Sequence, residues 1–256
     1  MKPTQIDQYQ KSSFTAPIRS GHQITHDVYE HGAGKVVVII QELPGIGQET
    51  LHLADRFVAR GYKVVLPHLF GPIGKTNTYA NLARVLCMRK EFRVFTANKS
   101  SPVIDWLKAL CQKLKTDNQV SGVATIGMCL TGNFAIALMA DDSVLAGFAS
   151  QPSLPLGKGG KLHLGETEIQ AIKTRLEDLG PMHCGRFEGD HFCTAERFKL
   201  YEETFNGDGV ERIKLHTLPG DKHAILTLDF VDEEGHPTKQ AFETVVAYFD
   251  QSLASQ

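Results

Sequence analysis

From residue 34 onward, short apolar runs alternate with longer stretches in which apolar residues recur at helical spacing. Residues 36–40, Val-Val-Val-Ile-Ile, are apolar without interruption, the pattern of a strand buried on both faces. Residues 49–60 predict a helix, because Leu51, Leu53, Ala54, Phe57 and Val58 fall mostly on one side of it. After Gly61, residues 63–66 form a second β run. Ser101-Pro102 opens the next helix, with a capping serine and a proline in the first turn. Its apolar positions are Val103, Trp106, Leu107, Leu110, Cys111 and Leu114, which assigns Trp106 and Cys111 to the core. A strand at 123–128, a helix at about 130–139 and a strand at 144–149 follow.

Residues 153–166, rich in Gly, Lys and Pro, predict a surface loop. Thr167 is placed to cap a helix carrying Ile169, Ile172, Leu176 and Leu179. Strands near 182–188 and 212–218 bracket a helix near 194–204, and a last helix spans about 237–253. Strands alternating with helices imply a mainly parallel sheet covered on both faces, within a single domain over 1–256. Ligand sites in such sheets lie at the carboxyl ends of the strands.

Composition narrows the function classes. The formal net charge is −2 and no basic stripe is present, so a nucleic-acid partner is not expected. The longest apolar runs, 36–40 and 134–140, are too short to span a bilayer, and the polar first thirty residues do not read as a signal peptide. The five cysteines, Cys87, Cys111, Cys129, Cys184 and Cys193, are odd in number and irregular in spacing. They predict a cytoplasmic protein without a disulfide framework. Neither His191 with Cys193 nor His183 with Cys184 has a zinc-type partner pair elsewhere, so no metal site is expected.

The chemistry concentrates at a few strand ends. Gly127-Met128-Cys129-Leu130-Thr131-Gly132 joins a strand to a helix, the context of a nucleophile elbow. Small residues are favoured two positions either side of the nucleophile. Gly127 fits, whereas Thr131 stands where glycine is usual and Gly132 follows one place later. At a helix N-terminus the Cys129 thiolate would be favoured, and the Leu130 N–H would be one oxyanion donor. The alternative is a small buried cysteine filling a tight turn.

In elbow architectures the acid and the histidine follow the nucleophile in that order. His163 lies in the loop, His183 and His216 fall in strand patterns, and His236 sits beside Pro237 in a capping or solvated role. His223, in the turn-rich Pro219-Gly220-Asp221-Lys222-His223, lies where the base belongs. Asp190, ending Phe187-Glu188-Gly189-Asp190, is the leading acid, with Glu188 and Asp221 as alternatives. His191 reads as a neighbour of the site. Glu42 follows the first core strand in Gln41-Glu42-Leu43-Pro44-Gly45; a carboxylate at the mouth of a buried strand is either paired or functional. Pro44 has no N–H, so Leu43 is the second oxyanion candidate.

Taken together, Gln41-Glu42-x-x-Gly45, Gly127-x-Cys129-Leu130-x-Gly132, Gly189-Asp190-His191-Phe192 and His223-Ala224 resemble the dienelactone hydrolase family, from about Val36 to the last helix. The resemblance implies an α/β-hydrolase fold and a triad of Cys129, Asp190 and His223. It also implies that Glu42 accepts the thiol proton when substrate binds. The reaction implied is hydrolysis of a small ester or lactone through a thioester; the protein is expected to work without a cofactor, as a monomer or homodimer. The family's type enzyme holds a substrate carboxylate with arginines, one of them four residues after the catalytic histidine; here that residue is Thr227. Arg89 and Arg93 lie near the segment of the other, and a solvated helix face explains them equally well. Residues 84–106 resemble a divergent branch of the family, so the resemblance does not carry dienelactone over as the substrate. A non-catalytic binding protein, or a thiol redox protein using Cys129 with Cys184 or Cys193, are the other classes weighed.

Overall fold

The apolar run at residues 36–40 becomes the centre of an eight-stranded sheet in the computed structural model, which describes residues 2–73, 101–153, 162 and 164–254. The strands are β1 (Gln10–Pro17), β2 (Gln23–Gly32), β3 (Lys35–Ile40), β4 (Tyr62–His68), β5 (Val123–Met128), β6 (Val144–Ser150), β7 (Met182–Phe187) and β8 (Ile213–Leu218). Their spatial order is β1-β2-β4-β3-β5-β6-β7-β8. β3 to β8 run parallel, while β1 and β2 pair antiparallel with each other, and β2 with β4.

Alternate residues of β3 serve opposite faces, as the pleat requires. Val36, Val38 and Ile40 join Trp106, Leu107, Leu110 and Leu114 of helix α2 (Pro102–Asp117). Val37 and Ile39 join Leu51, Leu53 and Phe57 of α1 (Gln48–Val58). That second layer is completed by Phe242, Val245 and Phe249 of the last helix, Pro237–Ser252. Every apolar residue of β3 is fully buried. At about 1.5–3 kcal/mol for each such side chain, this strand anchors the frame that holds the site. Trp106 and Cys111 are core residues as expected.

Several local expectations need correction. The β1–β2 hairpin is absent from the hydrophobic pattern because β1 is an edge strand exposed along most of its length. Ser101 does stand at the N-cap of α2, but its side chain makes no capping hydrogen bond. Thr167 lies inside a helix, α4 (Glu166–Leu179), and Gly165 is its N-cap, with the Gly165 N–H donating to Glu168. The helix after Cys129 opens with a tight 3-10 turn, Cys129–Thr131, before α3 (Gly132–Leu138). The helix near 194–204 is α5 (Ala195–Tyr201) followed by a π turn, Glu202–Asn206. The last helix is therefore α6. Among the described residues, no helix is long and apolar enough to cross a membrane.

Candidate active site

The chain reverses its direction of strand addition at β3: β4 lies on one side and β5 on the other. Such switch points leave a crevice at the carboxyl ends of the strands. The β3–β5 register pairs Ile40 with Gly127, so Glu42 and Cys129 leave the sheet side by side. Asp190 follows β7 and His223 follows β8 on the same rim.

Cys129 has φ 56°, in the left-handed region that non-glycine residues avoid. Strain of this kind, of order 1–3 kcal/mol, persists where surroundings fix it, and it lifts the side chain out of the turn. The surroundings are visible. A Cβ on Gly127 would lie 2.0 Å from the Thr131 carbonyl oxygen, and one on Gly132 would lie 2.9 Å from Pro152 Cα. Gly127→Ala is therefore expected to lower stability by about 1–3 kcal/mol or more, read as a lower denaturation midpoint. An unchanged midpoint would mean that the elbow relaxes freely. Thr131 fits the turn and ties it down. Its hydroxyl accepts from the Met128 N–H at 2.9 Å and lies 3.0 Å from the carbonyls of Ile40 and Met128.

Of the three acids considered, Glu188 and Asp221 are exposed, whereas Asp190 is buried. Asp190 Oδ1 accepts from the Phe192 and Cys193 N–H groups at 2.8 and 3.0 Å. Its Oδ2 lies 2.7 Å from His223 Nδ1. The backbone of the histidine turn is held in turn by Asp229 Oδ2, which accepts from the N–H groups of His223 and Ala224 at 3.0 and 2.9 Å. Burial disfavours the charged imidazole, but the hydrogen bonds to Asp190 and Cys129 outweigh it and push His223 up to about 10. His183 and His216 lie in β7 and β8 as expected, and His236 caps α6 by accepting from the Thr238 N–H. His191 is exposed on the loop beside Asp190.

Glu42 forms no ion pair among the described residues; the Thr227 hydroxyl donates to its Oε1. Burial raises its proton affinity, held back by that hydrogen bond and by the nearby His223. The rest of its motif has structural work. Gln41 Nε2 donates to the Phe70 carbonyl, and Gln41 Oε1 accepts from the Leu69 N–H. Gly45 faces Pro72 so closely that a Cβ would lie 2.3 Å from the Pro72 carbonyl oxygen. Neither the Leu43 nor the Leu130 N–H donates to an acceptor among the described residues, which leaves both open to an oxyanion. Arg89, Arg93 and His163 lie outside the described residues.

A residue not anticipated sits against the sulfur. Ser153 Oγ is 3.0 Å from Cys129 Sγ, and Ser153 is buried rather than part of a surface loop. The strand-end rule is the one sequence signal that points to it, because it follows β6 by three residues.

The model of the dienelactone hydrolase family matches residues 26–253, most of the chain and every element of the rim. The chain belongs to this family. Membership makes it a hydrolase acting on ester bonds. Among curated proteins, none matches the sequence. Solved structures resemble this family member in fold. A Klebsiella pneumoniae protein provisionally described as a dienelactone hydrolase superposes with a TM-score of 0.62 at 15% identity, over 94% of this chain and 99% of its own. A cold-adapted esterase from an Arctic intertidal metagenomic library gives 0.61 at 15% identity, over 98% and 97%. A dienelactone hydrolase-like promiscuous phosphotriesterase from metagenomic libraries gives 0.60 at 13% identity, over 94% and 98%. Against the family pattern, the hydroxyl of Thr227 contacts Glu42 from the position where the type enzyme carries an arginine.

Proposed function

We propose that this dienelactone hydrolase family member is a cysteine hydrolase that cleaves a small ester or lactone through a thioester on Cys129. The observation that carries the reading is the 2.7 Å bond between Asp190 and His223 on the same rim as a cysteine held at φ 56°. The Cys129 sulfur attacks the carbonyl carbon as a thiolate, its proton having already passed to a neighbouring base. The Leu43 and Leu130 N–H groups receive the oxyanion. As the tetrahedral species collapses, the alkoxide takes a proton from His223 and leaves. Water then gives a proton to the imidazole and attacks the thioester, and the acid departs as the thiolate reforms. Asp190 fixes the imidazole with Nδ1 protonated and balances its charge. Glu42 is the further proton acceptor that the family pattern implies, and its burial suits that task. Arg89, Arg93 and His191 are proposed to contact the non-reacting part of the substrate. The cysteine pattern favours the cytoplasm.

The test is mass spectrometry of the protein mixed briefly with activated aryl esters and small lactones, with product followed in parallel. A transient acyl adduct on Cys129 that decays as product forms is the expected result. Turnover with the adduct on another residue would overturn the assignment. A redox role is disfavoured by Cys184 and Cys193, which are fully buried with thiols pushed up by that burial.

The histidine also gives a pH dependence. His223 binds its proton more tightly folded, up to about 10, than an unfolded histidine near 6.5. Its contribution to stability is therefore complete below about 6.5 and is lost as pH rises toward about 10. The melting-temperature gap between wild type and His223→Gln is expected to narrow over that interval. A gap that stays constant would mean that the histidine is not protonated in the resting protein.

A further inference from the structure

The turn after β6 is fastened to the elbow on several sides. The Ser153 N–H donates to the Cys129 carbonyl at 3.0 Å. Asn133 Nδ2 donates to the carbonyls of Ser153 and Leu130 at 3.2 and 3.0 Å, and the Tyr201 hydroxyl donates to Asn133 Oδ1 at 2.8 Å. Pro152 rests on Gly132 so tightly that no side chain fits between them. Gln151, just before it, is buried with φ 35°, a second strained non-glycine residue at this rim. The result of this fastening is that the Ser153 hydroxyl faces the Cys129 sulfur at 3.0 Å.

The direction of that bond follows from what else is within reach. Ser153 is 2% exposed, and among the described residues its hydroxyl has no other hydrogen-bond partner. A buried hydroxyl left without an acceptor is penalised, so it donates to the sulfur. A thiolate is a far better acceptor than a thiol, because a charged acceptor roughly doubles the strength of the bond.

We infer that Ser153 is a positioning residue that donates its hydroxyl hydrogen to Cys129 Sγ and stabilises the nucleophile as a thiolate. The inference rests on the reading of Cys129 as the nucleophile, but it concerns the sulfur itself and needs no ester. Asn133 and Tyr201 act behind it, by holding the Ser153 backbone where the hydroxyl can reach.

The experiment is the rate of Cys129 alkylation by iodoacetamide as a function of pH, read on the Cys129 peptide by mass spectrometry, in wild type and Ser153→Ala. Folding is checked by circular dichroism, with Ser153→Gly taken instead if the alanine variant does not fold. The midpoint of the alkylation profile is expected to rise by about one pH unit in the variant, about tenfold less thiolate at any pH below it. The two proteins should converge above both midpoints, which a merely structural loss would not produce. An unchanged or lowered midpoint in the folded variant would overturn the inference. A wild type that turns over no ester, yet shows the shifted midpoint in the variant, would fail the functional reading and leave Ser153 in its role.

Discussion

Cys129→Ala is expected to lower ester turnover by at least about four orders of magnitude while leaving the fold intact. The nucleophile sits at the start of a covalent sequence, so no later step can compensate for its loss. What remains is binding plus the Leu43 and Leu130 N–H groups, which in comparable sites retain about 10³–10⁴-fold over water. The fold should survive because alanine at φ 56° is no more strained than cysteine there. The elbow's other ties, through Thr131, Gly127 and Gly132, are untouched. The Ser153 hydroxyl and the His223 imidazole each lose their contact with the sulfur, a change of about 1 kcal/mol apiece. Turnover in the variant, with the melting temperature as a control, decides the matter. Retained turnover would remove Cys129 from the mechanism and direct attention to Ser153, whose oxygen lies 3.0 Å away.

Asp190→Asn is expected to lower kcat by about 10⁴-fold through the tautomer of His223. The two oxygens of Asp190 do different work. Oδ1 accepts from the Phe192 and Cys193 N–H groups, and an asparagine would keep its carbonyl oxygen there. The amide NH₂ would then take the place of Oδ2, facing His223 Nδ1. Two donors cannot share that 2.7 Å contact, so the imidazole would carry its proton on Nε2 instead. That nitrogen would no longer be free to take one. Steady-state kinetics on the best ester from the panel, with circular dichroism to check folding, measures the effect. A loss smaller than about tenfold would mean that His223 does not depend on Asp190 for its orientation.

Local sequence does not single out the acid. Three carboxylates, Glu188, Asp190 and Asp221, flank the last strands at plausible positions. Chain order and strand ends favoured Asp190, yet nothing local excluded the others. Burial separates them, since only Asp190 is enclosed and bonded on both oxygens. Thr131 was likewise ambiguous. Its side chain departs from the usual glycine, and only its hydroxyl's position near Ile40, ninety-one residues away in sequence, explains why a threonine suits the turn.

By itself the sequence determined the parallel β3–β8 frame, the core faces of its helices, and the rim positions of Glu42, Cys129, Asp190 and His223. It did so because hydrophobic period, strand ends and turn residues are local properties, written within a dozen residues of one another. The antiparallel hairpin escaped, because an edge strand exposed along its length has no buried pattern to display. The tertiary structure alone decided the Ser153 contact to the sulfur, the Thr227 contact to Glu42 and the Asp229 clamp on the histidine turn. The first two join residues 24 and 185 apart, and a hydrogen bond of that span depends on how the strands stack rather than on which residues are neighbours.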